Sequence, residues 1–178
     1  MFSGMPTTMI GTSYKGNFLK TVYNQLFWGP RPASYLILGL VCFYLLLLAF
    51  GVNPWLSILG ALIFGFCSYN FQIIQVGHNA KMVAIAFMPA VLAAAVYAFR
   101  KNRWLGAVLF GIALAFEIMA NHPQITFYLA FIILFYGIAQ LYKAIKAKAL
   151  PAFFKTAILL VVASGFAAAT NVNYLWPT

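Results

Sequence analysis

The sequence predicts an all-α polytopic membrane protein, and its composition and patterning both support this fold class. The 178 residues are 65% hydrophobic and include a single acidic side chain, Glu117. A soluble domain of this size could not hide that much apolar surface from water. The apolar residues form six long runs that are apolar on every face, whereas β-barrel strands alternate apolar and polar residues. We therefore expect the bilayer to be the solvent of this chain.

A short amphipathic helix is predicted before the first span. Apolar residues recur from Phe18 to Phe27 at the three- and four-residue spacing of one helix face, while Lys20 and Asn24 lie on other faces. This pattern is typical of a helix in the membrane interface, with Trp28 near the level of the headgroups. Such a helix either anchors the chain or walls a site that a lipid enters from the side.

Six spans follow, each near the ~20 residues that a helix needs to cross the hydrocarbon core. The predicted spans are Ala33–Phe50, Trp55–Ile74, Met82–Phe99, Trp104–Met119, Gln124–Leu141 and Phe153–Ala169. Three regions result. Residues 1–32 form the end of an extracytoplasmic loop with the interfacial helix, residues 33–170 form the six-span transmembrane bundle, and residues 171–178 begin a further extracytoplasmic segment.

The basic residues predict the orientation of the bundle. Seven of the eleven Lys and Arg side chains lie between residues 100 and 155, around the connections that follow the third and fifth spans. The other four are Lys15, Lys20, Arg31 and Lys81. Positive charge in short loops marks the cytoplasmic side, so both ends of the chain are expected outside a bacterial inner (cytoplasmic) membrane. The basic residues sit between spans and form no continuous stripe, so no nucleic-acid partner is expected.

The ends of the chain predict that it is an internal fragment of a longer protein. An N-terminus outside the membrane needs something to carry it across, and the first residues do not resemble a signal peptide. The last residues, from Asn171 to Thr178, stop within a loop.

The outward connections contain the candidate binding residues. Three spans begin on this side, so their unpaired N–H groups and the positive ends of their dipoles point toward it. Together with cationic side chains, including Arg31, they would favour the phosphate of a lipid or nucleotide. The candidates are His78, Lys81, Asn121, His122 and Gln124. The alternative is that these residues only cap helices, with Asn79 capping the third span, and with Asn121 or His122 capping the fifth ahead of Pro123.

Glu117 is the only Asp or Glu that could serve as a general base. An unpaired carboxylate in a membrane is costly, so it is expected to have a partner, and Lys81 is the predicted one. A structural ion pair and a catalytic base are both compatible with this position. Asn70 and Gln72, near the same surface, either extend the polar patch or pair with neighbouring helices. A single carboxylate does not form a metal site, so no metal or other cofactor is predicted.

Four short stretches carry a resemblance to a known family. Met1–Pro6, Gly77–Met82, Asn121–Tyr128 and Leu175–Thr178 together resemble the bacterial YfhO-like membrane proteins, most closely those of Bacteroidetes. That family is much longer and is assigned to the C-type glycosyltransferases, which take a sugar from a polyprenyl-phosphate carrier and transfer it outside the membrane. The resemblance implies a catalytic Asp upstream of Met1. The catalytic residue is therefore not in this chain, which is not expected to catalyse transfer alone.

The resemblance also implies roles for the candidate residues. His78, Lys81 and His122 would stabilise the lipid phosphate as it leaves the anomeric carbon of the sugar, with Asn121 and Gln124 as hydrogen-bonding neighbours. A divalent metal occurs in this superfamily, but the residues here do not support one. The expected partners are membrane lipids and a polyprenyl-phosphate-linked sugar. The competing hypothesis is a non-enzymatic transporter subunit or lipid-binding membrane scaffold. The sequence leaves open the sugar, the acceptor, the lipid carrier and the oligomeric state.

Overall fold

The computed structural model describes residues 18–26 and 29–175, and every regular element within these ranges is an α-helix. The helices are α1 (Phe18–Leu26), α2 (Ala33–Phe50), α3 (Pro54–Gly65), α4 (Ser68–Gln75), α5 (Asn79–Arg100), α6 (Arg103–Met119), α7 (Pro123–Lys146), α8 (Leu150–Ala169) and α9 (Val172–Leu175). The predictions for residues 1–17, for Phe27 and Trp28, and for residues 176–178 lie outside the described residues.

Four of these helices, α2, α5, α7 and α8, are long and apolar enough to cross a membrane. A fifth span results if α3 and α4, which meet at a bend of 40°, are counted as one. The predicted all-α class is therefore confirmed for the described residues, and the long apolar helices agree with a multi-pass membrane protein. The remaining predicted span, the fourth in chain order (Trp104–Met119), corresponds to α6, which has 17 residues. Six crossings and an interfacial position for α1 stay predictions.

The second predicted span is not one continuous helix. Helix α3 ends at Gly65, and Cys67 adopts an extended conformation before α4 begins. The fully buried side chain of Asn70 donates its amide hydrogens to the carbonyls of Phe64 (2.8 Å) and Gly65 (3.2 Å). These bonds satisfy acceptors that the break leaves unpaired. Asn70 therefore pairs with the end of the preceding helix, α3, and stabilises it.

Helix α5 is the centre of the bundle. In its most apolar window 67% of the residues are buried, against 11% in α7. It packs most extensively against α6 and α2. Small side chains make the close contacts possible, since a Cβ on Gly106 of α6 would overlap the backbone of Ala98 of α5.

The connections place the helix ends in two groups. Arg100, in the last turn of α5, donates to the carbonyls of Ala49 and Phe50 at the end of α2. We call this side the basic end; it also contains the turns at residues 101–102 and 147–149. At the opposite side, the histidine end, lie α1, the start of α2, the turns at residues 76–78 and 120–122, and α9.

The contact at Gly106 leads to a prediction about stability. Replacing Gly106 with Ala forces α5 and α6 apart, so we expect the free energy of unfolding to fall by about 1–3 kcal/mol. Gly137→Ala and Gly165→Ala are matched controls, because a Cβ at either position meets no atom within 4 Å. Thermal unfolding in detergent, followed by circular dichroism, should show a lower Tm for Gly106→Ala and no loss for the controls. Equal Tm values for all three variants would contradict the close contact.

Candidate functional site

Two turns of the histidine end are built alike. Gly77 (φ 81°) and Asn121 (φ 55°) have left-handed backbones, and a histidine follows each of them. Glycine adopts this conformation without strain, and Asn tolerates it better than most residues. His78 and His122 then stand as the N-cap residues of α5 and α7, although neither side chain makes a cap bond. The same local geometry thus sets a histidine at the start of two helices.

The capping predictions need one correction. Asn79 is the first residue of α5 and not its cap. The left-handed Gly77 ends the preceding turn early, so helical geometry has already begun at Asn79. Pro123 occupies the first turn of α7, as predicted, with His122 as the cap residue.

Two of the predicted site residues, Lys81 and His78, act electrostatically on a third, His122. The pKa of His122 is lowered from its ordinary value by burial first, and then by the positive charge of Lys81 and by His78. The Lys81 ammonium lies 5.2 Å from the ring centroid of Tyr69 in α4. His122 is therefore a neutral imidazole near pH 7, and Lys81 supplies the permanent charge of this group.

Of the two remaining predicted residues, Asn121 shares a pocket with His122, whereas Gln124 does not line it. Asn121 and His122 line a pocket of about 300 Å³, the His122 pocket, together with Thr126 and Leu175. The Nδ1 atom of His122 is buried and has no hydrogen-bond partner. The amide of Gln124 donates to the Tyr128 hydroxyl at 2.8 Å, one turn further along α7.

Glu117 does not pair with Lys81. Its side chain is fully buried, and its two carboxylate oxygens accept from the Thr126 hydroxyl at 3.1 and 3.0 Å. Glu117 lies in the last turn of α6 and Thr126 one turn after the start of α7, so the tight turn between the helices brings the two side chains to the same level. The predicted ion pair is wrong because this nearer partner lies directly across the turn.

Asn171, the first residue of the predicted outer segment, is fully buried. Its amide donates to the carbonyls of Ala115 in α6 (3.0 Å) and Ala167 in α8 (2.9 Å). It therefore holds the end of α8 against α6, and its Oδ1 atom has no hydrogen-bond partner. Only its position at the end of an apolar run could have suggested such a role.

A cavity of about 160 Å³ next to α1 was not predicted. We call it the Lys20/Arg31 cavity, and it is also lined by Tyr23, Asn24 and Asn79. Burial, and secondarily Tyr35, raises the pKa of Tyr23 to about 12 against a smaller opposite effect of Arg31, so the phenol adds no negative charge. The available sequence signal was the polar face of α1, where Lys20 and Asn24 are one turn apart.

An apolar groove of about 610 Å³ lies on the other face of α1. We call it the α6/α8 groove. Its walls come from α6 and α8, and Phe18, Leu19 and Val22 of α1 cover one part of it. Helix α1 thus has an almost wholly apolar groove on one face and the Lys20/Arg31 cavity on the other.

The chemistry of this end suits an anion and not a metal ion. Within residues 18–26 and 29–175, no three His, Cys, Asp or Glu side chains come together as metal ligands. The side chains present do not fit a divalent metal, so no step is assigned to one. Cationic and hydrogen-bonding groups are what the histidine end offers.

The Glu117–Thr126 bond can be tested by a double-mutant cycle. Thr126→Val removes the hydroxyl that Glu117 accepts from, so we expect a loss of about 1–3 kcal/mol in the free energy of unfolding. Thr126→Ser, which keeps the hydroxyl, should lose much less. The coupling energy between Glu117→Gln and Thr126→Val should be measurable, and that between Glu117→Gln and Lys81→Gln close to zero. A measurable coupling between Glu117 and Lys81, with none between Glu117 and Thr126, would instead support the ion pair.

The lowered pKa of His122 predicts a pH dependence of stability. The unfolded chain binds this proton more readily than the folded chain, so folding stability falls as the pH drops below the unfolded value of ~6.5. We expect Tm to fall between about pH 7.5 and about pH 5, and to fall less in His122→Gln. Lys81→Gln should reduce the effect in part, because it removes one of the lesser causes. Identical pH profiles for wild type and His122→Gln would show that His122 is not responsible.

No protein-family model matches this chain, and no characterised protein or solved structure is significantly similar to it. The resemblance to the YfhO-like proteins therefore stays a prediction from four short stretches. Two of these stretches lie at the matching turns of the histidine end. The first lies outside the described residues, and the last extends beyond them after Leu175.

Proposed function

We propose that this chain is the membrane core of a protein that binds a lipid phosphate at its histidine end. Following the YfhO-like resemblance, the lipid is a polyprenyl-phosphate-linked sugar, and the longer protein is a glycosyltransferase acting on the extracytoplasmic face of a bacterial inner membrane. In this proposal the bundle crosses the membrane six times, with α6 and the bent α3–α4 pair among the spans. Helix α1 lies in the outer interface.

The observation that carries the proposal is a group of cationic side chains at one end of the bundle, where no acidic side chain lines the cavities. Lys20 and Arg31 line one cavity, and Lys81 lies near His122 at the same end. The only acidic side chain of the sequence, Glu117, is fully buried and bonded to Thr126. A phosphate would meet several cations and no acidic side chain, which favours its binding.

The α6/α8 groove favours a lipid over a nucleotide. Its lining is almost entirely apolar, and it begins at the helix that also borders the Lys20/Arg31 cavity. A hydrocarbon chain would find in it a surface that a nucleotide could not use. An amphiphile with a phosphate head is the ligand class that uses both faces of α1.

In the proposed reaction, an acceptor oxygen forms a bond to the anomeric carbon as the bond to the lipid phosphate breaks. The phosphate gains negative charge as it leaves, and Lys81 is positioned at the end where this charge would be stabilised. His122, neutral before the ligand binds, would gain affinity for a proton beside the departing phosphate. Glu117 is fully buried and accepts a hydrogen bond from Thr126, so it is not assigned as the general base. In the resemblance, that role belongs to an upstream Asp.

Binding of a polyprenyl phosphate to this chain in nanodiscs tests the proposal. We expect saturable binding, weakened at least about tenfold in Lys20→Gln/Arg31→Gln and in the triple variant His78→Ala/Lys81→Ala/His122→Ala, since ~1 kcal/mol per cation is typical near a lipid headgroup. The matched control is Lys146→Gln/Lys155→Gln, which removes two charges at the basic end. Equal binding by both double variants would reject the histidine end as the phosphate site.

A lipid-binding scaffold or transporter subunit would share this binding but not the chemistry. Sugar transfer by the longer protein that the resemblance predicts separates the two classes. Transfer that is lost in the triple variant supports the glycosyltransferase. Binding without any transfer supports the scaffold.

A further inference from the structure

A second apolar groove, of about 540 Å³, lies between α2 and α6. We call it the α2/α6 groove. Its floor is formed by small side chains of α5, Ala90, Ala93 and Ala94, and its walls include Leu48 of α2 and Ile112 of α6. Both outer helices pack against α5 and hardly touch each other, so the small side chains between them leave an open channel.

The row of α5 residues that forms the floor of this groove ends at a cationic side chain, Lys101. Ala90, Ala94, Tyr97 and Lys101 follow the three- and four-residue spacing of one face of α5, and all of them line the groove. Ala90 and Lys101 are eleven residues apart, or ~16 Å along the helix. That is about half of the ~30 Å hydrocarbon core, which is the depth that a lipid chain occupies in one leaflet.

Lys101 also borders a second, polar space. The basic cavity, of about 290 Å³, is lined by Arg100, Lys101, Arg103 and Lys143. One guanidinium nitrogen of Arg100 already donates to the end of α2, so Arg100 has fewer donors left for a phosphate than the other three cations. The single acidic side chain, Glu117, lies near the far end of α6, ~21 Å along the helix from Arg103.

We propose that the basic cavity and the α2/α6 groove together bind an anionic phospholipid. The phosphate lies among Lys101, Arg103 and Lys143, and one acyl chain lies on the alanine floor of α5. The positive cavity complements the phosphate, and the shared residue Lys101 joins it to a groove that suits a hydrocarbon chain. This site is at the opposite end of α5 from the histidine end, and it does not depend on the proposed function.

Native mass spectrometry of the delipidated chain in detergent tests this site. We expect phosphatidylglycerol to bind at least about tenfold more tightly than phosphatidylcholine with the same acyl chains. Lys101→Gln/Arg103→Gln should weaken phosphatidylglycerol about thirtyfold, from ~1 kcal/mol for each cation. The control Lys146→Gln/Lys155→Gln removes the same charge outside the cavity and should change binding little.

The groove is tested separately by filling it. Ala90→Leu narrows the floor and should also weaken phosphatidylglycerol, while Ala139→Leu, on an exposed part of α7, should not. Circular dichroism of each variant shows whether it remains folded. If Ala90→Leu does not fold, the comparison of the two charge variants still tests the site.

Four results would overturn the proposal. They are equal affinity for the two lipids, equal losses in the test and control charge variants, displacement of the lipid by millimolar inorganic phosphate alone, and dimers in place of lipid adducts. The third result would mean that the cavity binds a free anion, and the fourth that a second copy of the chain fills the groove.

Discussion

The close approach of α5 and α6 is the contact on which the rest of the bundle depends. Gly106 lets the backbone of α6 come against Ala98, and the alanines of α5 do the same toward other helices. In a bilayer the lipid is as apolar as the side chains, so tight packing of small residues replaces the hydrophobic effect as the main attraction between helices. The same small residues leave the α2/α6 groove open. Close packing and a lipid-sized channel thus have one origin.

The second constraint is that backbone groups within a membrane need partners inside the protein. Asn70 satisfies carbonyls at the break between α3 and α4, and Arg100 satisfies those at the end of α2. Asn102 accepts from Trp104 and Leu105 at the start of α6, and Asn171 donates into α6 and α8. These polar residues fix where helices end and therefore where the two cation-rich ends of the bundle lie.

The sequence predicted the start of α2 and the end of α8 correctly, because long apolar runs have clear limits there. It could not predict the break after Gly65, since that break depends on a hydrogen bond from Asn70 and not on a loss of hydropathy. It paired Glu117 with Lys81 on charge alone, whereas the turn geometry brings Thr126 nearer. The cavity at Lys20 and Arg31 was missed because it requires α1 to pack against three other helices.

Helix α5 also explains why the two proposed lipid sites are distinct. Lys81 and Lys101 are twenty residues apart, or ~30 Å along the helix, which equals the thickness of the hydrocarbon core. If α5 crosses the bilayer as proposed, one lipid cannot reach both cations, and the two sites draw on opposite leaflets. The two sites also differ in the chemistry of their side chains. The basic end holds permanent charges and suits a resident lipid, whereas His122 can gain a proton as a phosphate becomes more negative, which suits a ligand that reacts and leaves.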